Sequence, residues 1–263
     1  MIFEKALILD NKKIANGIFE MVLSAKGIAA LDPLPGQFIN ISLSDSWLHS
    51  LRRPMSIAGI DGPRLKIIYK LFGEGTFLLS KKKIGDLLDL LGPIGNYFQN
   101  PNGEHPILIG GGVGLAPILW LHKLFSDKGI IHHTIIGARS MSEHFLKHSP
   151  EDNLILSTDD GSIGKKGTVM PVLLDVCKNL EKPKLYACGP ELMLKAVNDL
   201  AITQKINCEL SVESYMGCAT GICQGCVVEK SELNILGNEH SYHERYSLVC
   251  TNGPVYKAGE ILF

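Results

Sequence analysis

Three cysteines lie within nine residues near the C-terminus, as Cys218-x4-Cys223-x2-Cys226, and a fourth, Cys250, follows a gap of 23 residues. No other feature constrains the fold as tightly, because this is the spacing with which thiolates hold a plant-type [2Fe–2S] cluster. Such a cluster is wrapped by a compact loop that turns its amide N–H groups toward the sulfurs. Small residues are needed where the backbone crowds in, and Gly217, Ala219, Gly221 and Gly225 supply them. The competing reading is a structural zinc site, for which two Cys-x2-Cys pairs are expected. Here Cys250 stands alone in Val249-Cys250-Thr251. His240 and His243, inside the gap, read either as substitutes for a cysteine ligand or as solvated loop histidines.

Cys177, Cys188 and Cys208 are scattered and bring the total to seven, an odd number. Met1-Ile2-Phe3-Glu4-Lys5 does not lead a basic stretch into an apolar one, so a secretory leader is not expected. The thiols therefore read as metal or redox groups of a cytoplasmic protein, not as a disulfide framework. Charge balances at 26 basic against 27 acidic residues, a net −1, which provides neither a field for nucleic acid nor a polybasic membrane patch. The longest apolar run, residues 107–121, has 15 residues and four glycines. A membrane span needs about 20.

The rhythm of the chain changes once. Residues 5–9 and 17–23 are apolar runs around a polar stretch with Asn11 and Asn16, a hairpin-like pattern. Gln37-Phe38-Ile39-Asn40-Ile41-Ser42-Leu43 alternates at period two after the Pro35-Gly36 turn, and residues 55–60 and 65–71 are strands separated by Asp61-Gly62-Pro63. Short strands so punctuated predict an antiparallel barrel over residues 1–100, with a short helix over 76–82. Beyond Gln99-Asn100-Pro101-Asn102-Gly103, strands at 105–109, 131–136, 153–157 and 184–188 alternate with helices at 117–125, 167–179 and 191–201. That alternation predicts a doubly wound α/β domain over residues 101–207. Residues 208–263 form a third, Cys- and Gly-rich region. The fold class expected is thus α+β multidomain: barrel, doubly wound sheet, and small C-terminal cluster subdomain.

Gly110-Gly111-Gly112-Val113-Gly114-Leu115-Ala116-Pro117 sits between an expected strand and helix, where a dinucleotide diphosphate rests on backbone N–H groups. Pro117 suits the first helical position. The register departs from the usual fingerprint, since Pro117 stands where a third glycine belongs, and a structural turn is the alternative. Two segments strengthen the nucleotide reading. Asp159 and Asp160 follow a strand and can accept from ribose hydroxyls, while Cys188-Gly189-Pro190 ends another at the mouth where a nicotinamide would lie. An isolated strand cysteine such as Cys188 is otherwise a core residue. In Arg52-Arg53-Pro54-Met55-Ser56 an arginine fork and a hydroxyl are suited to a phosphate, and Gly73-x-Gly75-Thr76 opens a helix as a second diphosphate-type site. A surface arginine pair beside a helix cap is the plainer alternative.

Arg53-Pro54-Met55-Ser56, Gly75-Thr76, residues 110–117 and Cys188-Gly189-Pro190 resemble, in order, the motifs of the ferredoxin–NADP reductase superfamily. Residues 52–58, 158–167, 213–228 and 250–255 resemble more narrowly the electron-transfer subunits of NAD-dependent dihydroorotate dehydrogenases. The resemblance implies FAD contacts at Arg53, Pro54, Met55, Ser56, Ile68, Tyr69, Lys70, Gly75 and Thr76. It implies NAD contacts at Gly110, Gly111, Gly112, Gly114, Asp159, Asp160, Gly189 and Pro190, with Cys188 as a catalytic residue. It implies the cluster at Cys218, Cys223, Cys226 and Cys250. Met55 departs from the aromatic that many superfamily members stack on the flavin, and the gap before Cys250 is longer than usual.

Nicotinamide exchanges two electrons as hydride and a [2Fe–2S] cluster one, so FAD belongs between them. The implied partner is an FMN-containing dihydroorotate dehydrogenase catalytic subunit, in a heterotetramer of two plus two, working in pyrimidine biosynthesis. A reductase of the same architecture in a ferredoxin-dependent transhydrogenase or a sulfur-metabolising hydrogenase is the alternative, and a non-catalytic redox sensor is a further one. Arg139 would favour NADP, whereas Asp159 and Asp160 favour NAD.

Overall fold

A computed structural model describes residues 1–43, 50–112, 114–231 and 242–263. Strands β1 (Ile2–Ala15), β2 (Ile18–Ser24), β3 (Phe38–Ser42), β4 (Arg53–Asp61), β5 (Arg64–Lys70) and β6 (Leu87–Ile94) close a barrel in the order β1-β2-β5-β4-β3-β6. Helices α1 (Lys26–Ala29) and α2 (Glu74–Lys81) lie in its connections. The period-two pattern does what it should: Ile39, Ile41, Ile57, Leu65 and Ile67 are fully buried in one cluster inside the barrel. β1 runs further than its apolar core because its polar end pairs across the hairpin, with Lys12 opposite Glu20 and bonded to it at 3.2 Å.

The expected reading gave no strand at β6, and there is a physical reason. Its leucines do not alternate because its second half is buried on both faces, while Leu87 at its start stays exposed. Leu90 points into the barrel core, while Leu91 and Ile94 point out and pack with Phe38 against residues of the next domain. A strand buried on both sides loses the period that marks a strand.

The second sheet contains β7 (His105–Gly111), β8 (His133–Ala138), β9 (Leu154–Thr158), β10 (Lys165–Lys166), β11 (Pro183–Cys188) and β12 (Asn207–Ser211). Helices α3 (Leu115–Asp127), α4 (Val169–Lys178) and α5 (Glu191–Gln204) connect them. The C-terminal region adds β13 (Val227–Glu229), α6 (Tyr242–Arg245), β14 (Tyr246–Leu248) and β15 (Val255–Lys257). The sheet order is β10-β9-β8-β7-β11-β12-β15, parallel except for β15, which pairs antiparallel with β12. The chain winds outward from β7 through β10 and then returns to lay β11 on the other side of β7. That reversal opens a crevice at the carboxyl ends of β7 and β11, where such folds bind ligands. Strand β12, which the sequence reading did not expect, straddles residue 208 and so joins the second region to the third.

A buried polar node fastens the segment between barrel and sheet. Lys184 and Glu209 pair at 2.8 Å with side-chain exposures of 2% and 5%. Lys184 also donates to the carbonyls of Gln99 and Asn100, Tyr186 donates to Gln99 O at 2.7 Å, and Gln99 N donates to Glu209 at 2.7 Å. Every charge in the node has a partner, which is the condition for tolerating it in the interior. Among the described residues no helix is long and apolar enough to cross a membrane.

Lys184→Met leaves the Glu209 carboxylate buried without its cation and is expected to cost about 3–5 kcal/mol in urea unfolding. The Lys184→Met/Glu209→Leu double variant recovers most of that loss.

Candidate functional site

A cavity of about 260 Å³ opens where the barrel, the sheet and the C-terminal region meet. The barrel contributes Pro54, Met55 and Ser56 from β4, Ile68, Tyr69 and Lys70 from β5, and Thr76 from α2. The sheet contributes Cys188 and Ser211 from the ends of β11 and β12, and the C-terminal region Glu213, Met216 and Pro254. Residues singled out far apart in the sequence thus share one wall. They do so because β4 and β5 are neighbours in the barrel, and β11 and β12 neighbours in the sheet.

Not every side chain is turned to the same purpose. The Tyr69 ring is buried in the barrel core, stacked on Phe19 at 5.6 Å, with its hydroxyl donated to Asn11 at 2.9 Å. Thr76 Oγ1 accepts from Phe72 N at 2.7 Å and donates to Gly73 O at 3.2 Å, which ties up the loop entering α2. The arginine fork is reduced to one member. Arg52 is held by Asp89 at 2.6 Å and by the carbonyls of Asn40 and Asp89, anchoring the start of β4. Among the described residues Arg53 donates to the carbonyls of Leu51 and Arg52 and pairs with no carboxylate. A Cβ on Gly75 would stand 2.7 Å from Arg53 Nε, so only glycine lets the first turn of α2 come this close to the guanidinium. Guanidinium and helix N-terminus together suit a diphosphate.

The glycine loop presses backbone against backbone. Gly110 and Gly111 end β7, Gly112 has φ 56°, Val113 lies outside the described residues, and Gly114 precedes α3. A Cβ on Gly114 would lie 2.3–2.4 Å from the Cys188 carbonyl and Gly189 N, and one on Gly189 3.0 Å from Gly111 O. Glycine is therefore required for the two loops to nest, leaving the first turns of α3 and α5 (after Pro190) side by side at the crevice. Pro117 is the third residue of α3, not the first as expected; it still lies in the first turn, where a missing N–H costs nothing. Asp159 and Asp160 are exposed at the end of β9. Asp160 Oδ1 accepts from Ser162 N at 2.9 Å and from its hydroxyl at 2.6 Å, and these bonds hold the carboxyl below its usual range.

Cys188 is buried, and burial, reinforced by the Glu213 carboxylate, pushes its thiol far up. A thiol so held stays neutral and is no nucleophile. Glu213, which the sequence motifs do not mark as a site residue, lies beside it. It lines the cavity while keeping an exposed side, and desolvation on the cavity side raises its carboxyl above the ordinary glutamate value. Its place just past the carboxyl end of an inner strand was the available signal.

The four clustered cysteines form two pairs, Cys218 beside Cys223 and Cys226 beside Cys250. Backbone N–H groups of Thr220 and Cys223 point at Cys218 Sγ at 3.4 and 3.3 Å, Gly225 N at Cys223 Sγ at 3.5 Å, and Cys250 N at Cys226 Sγ at 3.4 Å. Burial opposes the Cys218 thiolate, but hydrogen bonds from the Thr220 hydroxyl and from the amides of Cys223 and Thr220 prevail and bring it to about 6. Burial and its neighbour Cys226 push Cys250 up to about 12. Ala219 and Gln224 sit at φ 58° and 54°, the tight winding a wrapped loop demands. Among the described residues no three Cys, His, Asp or Glu side chains close on one point, as a single ion would need. Two thiol pairs with amides aimed at sulfur suit a two-iron cluster. His240 and the side chain of His243 lie outside the described residues.

Residues 213–262 match the model of the iron–sulfur cluster binding domain of dihydroorotate dehydrogenase B. The chain is 33% identical over 259 residues to the dihydroorotate dehydrogenase B (NAD(+)) electron transfer subunit of Caldanaerobacter subterraneus subsp. tengcongensis, covering 98% of each. It is 36% identical to that of Streptococcus mutans, again over 98% of each. Among solved structures, the NADH-dependent reduced ferredoxin-NADP oxidoreductase superposes with a TM-score of 0.83 at 26% identity, over 98% of this chain and 89% of that one. Phthalate dioxygenase reductase shares the fold, with a TM-score of 0.64 at 16% identity over 98% and 95%.

Cys223, exposed on the loop, can be replaced without opening a cavity. Cys223→Ser is expected to lower iron and acid-labile sulfide to less than about a fifth of the unmodified content, whereas Cys177→Ser leaves both unchanged. Colorimetric iron and sulfide assays on anaerobically purified protein decide it.

Proposed function

The chain belongs to the family of electron-transfer subunits of dihydroorotate dehydrogenase B, and from that premise we propose that it carries electrons from dihydroorotate oxidation to NAD⁺ in pyrimidine biosynthesis. The observation that carries the reading is the cavity walled by all three regions, because it gives a flavin one edge toward the nicotinamide crevice and another toward the thiol loop. FAD bound there supplies the exchange between hydride and single electrons, with the [2Fe–2S] cluster as the one-electron side.

The residues of the chain do the rest. Arg53 and the start of α2 hold the flavin diphosphate, while Pro54, Met55, Ser56 and Ile68 line its ring, Met55 supplying an apolar face. The glycines at 110, 111, 112 and 114, with Gly189 and Pro190, bring the starts of α3 and α5 to the NAD diphosphate. Asp159 and Asp160 face the ribose and repel a 2′-phosphate, which sets NAD above NADP despite Arg139 nearby. Cys188 meets the nicotinamide as a neutral thiol. Cys218, Cys223, Cys226 and Cys250 hold the cluster. Residues 1–100, 101–207 and 208–263 are assigned to flavin, nicotinamide and cluster respectively, with β12 shared between the last two.

As an electron-transfer subunit the chain receives its electrons from elsewhere, so dihydroorotate is oxidised on a partner. That partner is an FMN-containing catalytic subunit, assembled two plus two with this chain. Similarity to the NADH-dependent reduced ferredoxin-NADP oxidoreductase keeps one other reading in view, a reductase subunit serving ferredoxin.

The complex, isolated anaerobically through a tag on this chain, is expected to reduce NAD⁺ with dihydroorotate, and the chain alone is not. Failure of the complex, with NADH still bleaching the bound flavin, assigns the reductase to the other partner. Glu213 carries a finer prediction, because desolvation holds its carboxyl above the ordinary glutamate value. As pH rises through its elevated value it gains a negative charge beside the one that reduction brings, so flavin bleaching by NADH slows. Stopped-flow measurement should show that limb in the unmodified protein and a flat profile in Glu213→Gln.

A further inference from the structure

One strap joins the ribose turn to the flavin cavity. It runs through residues 139–145, between β8 and the loop before β9, and it is bonded at both ends. At the nucleotide end, Asp159 N and Asp160 N donate to the carbonyls of Ala138 and Arg139, and Met141 N donates to Ser162 Oγ at 2.7 Å. That hydroxyl is the one whose proton goes to Asp160 at 2.6 Å. At the barrel end, Asn16 N donates to Ser142 O at 2.8 Å, and Lys70 Nζ donates to Glu143 at 2.8 Å. The Lys70 and Glu143 side chains are only 24% and 15% exposed, and Lys70 lines the cavity. Phe145, next along the strap, packs into the apolar seam formed by Ile18, Ala58, Ile68 and Ala116.

From this connectivity we propose that Glu143 is a positioning residue that couples occupancy of the ribose turn to the charge state of the flavin cavity, acting through Lys70. The inference rests on the functional reading above. Its physics is a competition for one ammonium. Lys70 satisfies Glu143 while the cavity is neutral. Negative charge arriving with reduction draws the ammonium the other way and loosens the strap at its barrel end. The strap's other end shares Ser162 with Asp160, so a ligand that fixes Asp159 and Asp160 biases the same bonds. Such a bias is reciprocal: whatever ribose binding does to the cavity, reduction must do to ribose binding.

ADP-ribose is the probe, because it fills the adenosine and ribose sites and has no nicotinamide with which to touch the flavin. Its dissociation constant is measured anaerobically on the flavin- and cluster-loaded complex, oxidised and then dithionite-reduced. The two constants are expected to differ by about fivefold or more, the usual scale of such coupling. The ratio should fall close to one in Glu143→Ala, which cuts the bond to Lys70. It should fall also in Ser162→Ala, an exposed change that leaves the Lys70–Glu143 pair intact and guards against misfolding of the first variant. A ratio near one in the unmodified complex, or a ratio unchanged in both variants, overturns the proposal. Bleaching of the flavin by NADH is recorded on the same samples. Its absence in the unmodified complex would remove the functional reading itself, whereas normal bleaching with no coupling removes only this inference.

Discussion

The architecture depends on burial of the outer face of β3 and β6. In most small barrels that face meets water. Here Phe38, Leu91 and Ile94 leave the barrel and enter a single apolar cluster with Ile107 and Ile109 of the sheet and with Cys226, Val249 and Cys250 of the C-terminal region. Three segments, to which flavin, nicotinamide and cluster are assigned in the proposal above, thus share one interior. Because protein interiors resist deformation, the distance between the groups is fixed by packing and not by linkers. An electron-transfer chain needs that rigidity, since none of its centres can be left to diffuse.

Two further constraints sharpen the geometry. The Lys184–Glu209 node pins residues 99 and 100, the point where the chain leaves the barrel, to the middle of the sheet. The nesting of Gly114 on Cys188 and Gly189 pins the two loops that frame the crevice to each other. Both use contacts that no neighbouring residue type could mimic: a charge fully paired in the interior, and a peptide touching a peptide where any Cβ would collide.

What could be read in the sequence was what local chemistry determines. The thiol spacing, the glycine loop and the alternation of β3 each follow from the residues adjacent in the chain, and the structure places them in a loop, at a strand–helix junction and in a barrel wall. What could not be read depends on long-range burial. β6 was hidden because its second face packs on a domain not yet folded when one looks along the chain. Glu213 was hidden because an acidic residue in a loop looks solvated until Cys188 and Ser56 are seen to share its cavity. Arg52 and Arg53 looked alike, and only Asp89, 37 residues beyond Arg52, separates their roles. Tyr69 and Thr76 line the cavity, but their hydroxyls are engaged by Asn11 and by the backbone of Phe72 and Gly73.

The C-terminal region is sewn into the sheet at both of its ends. It departs from β12, and after the thiol loop it comes back to lay β15 antiparallel along that same strand, with Val212 N donating to Pro254 O beside the pairing. A module hung on a single linker can be gained, lost or traded between proteins at small cost to its host. This one cannot, because excising it strips the covering strand from β12 and makes that longer strand the open edge in place of the three-residue β15, with the aggregation hazard that carries. Lineages that dispense with the cluster must therefore rebuild the edge of the nucleotide domain as well, which ties the inheritance of the metal centre to that of the fold beneath it.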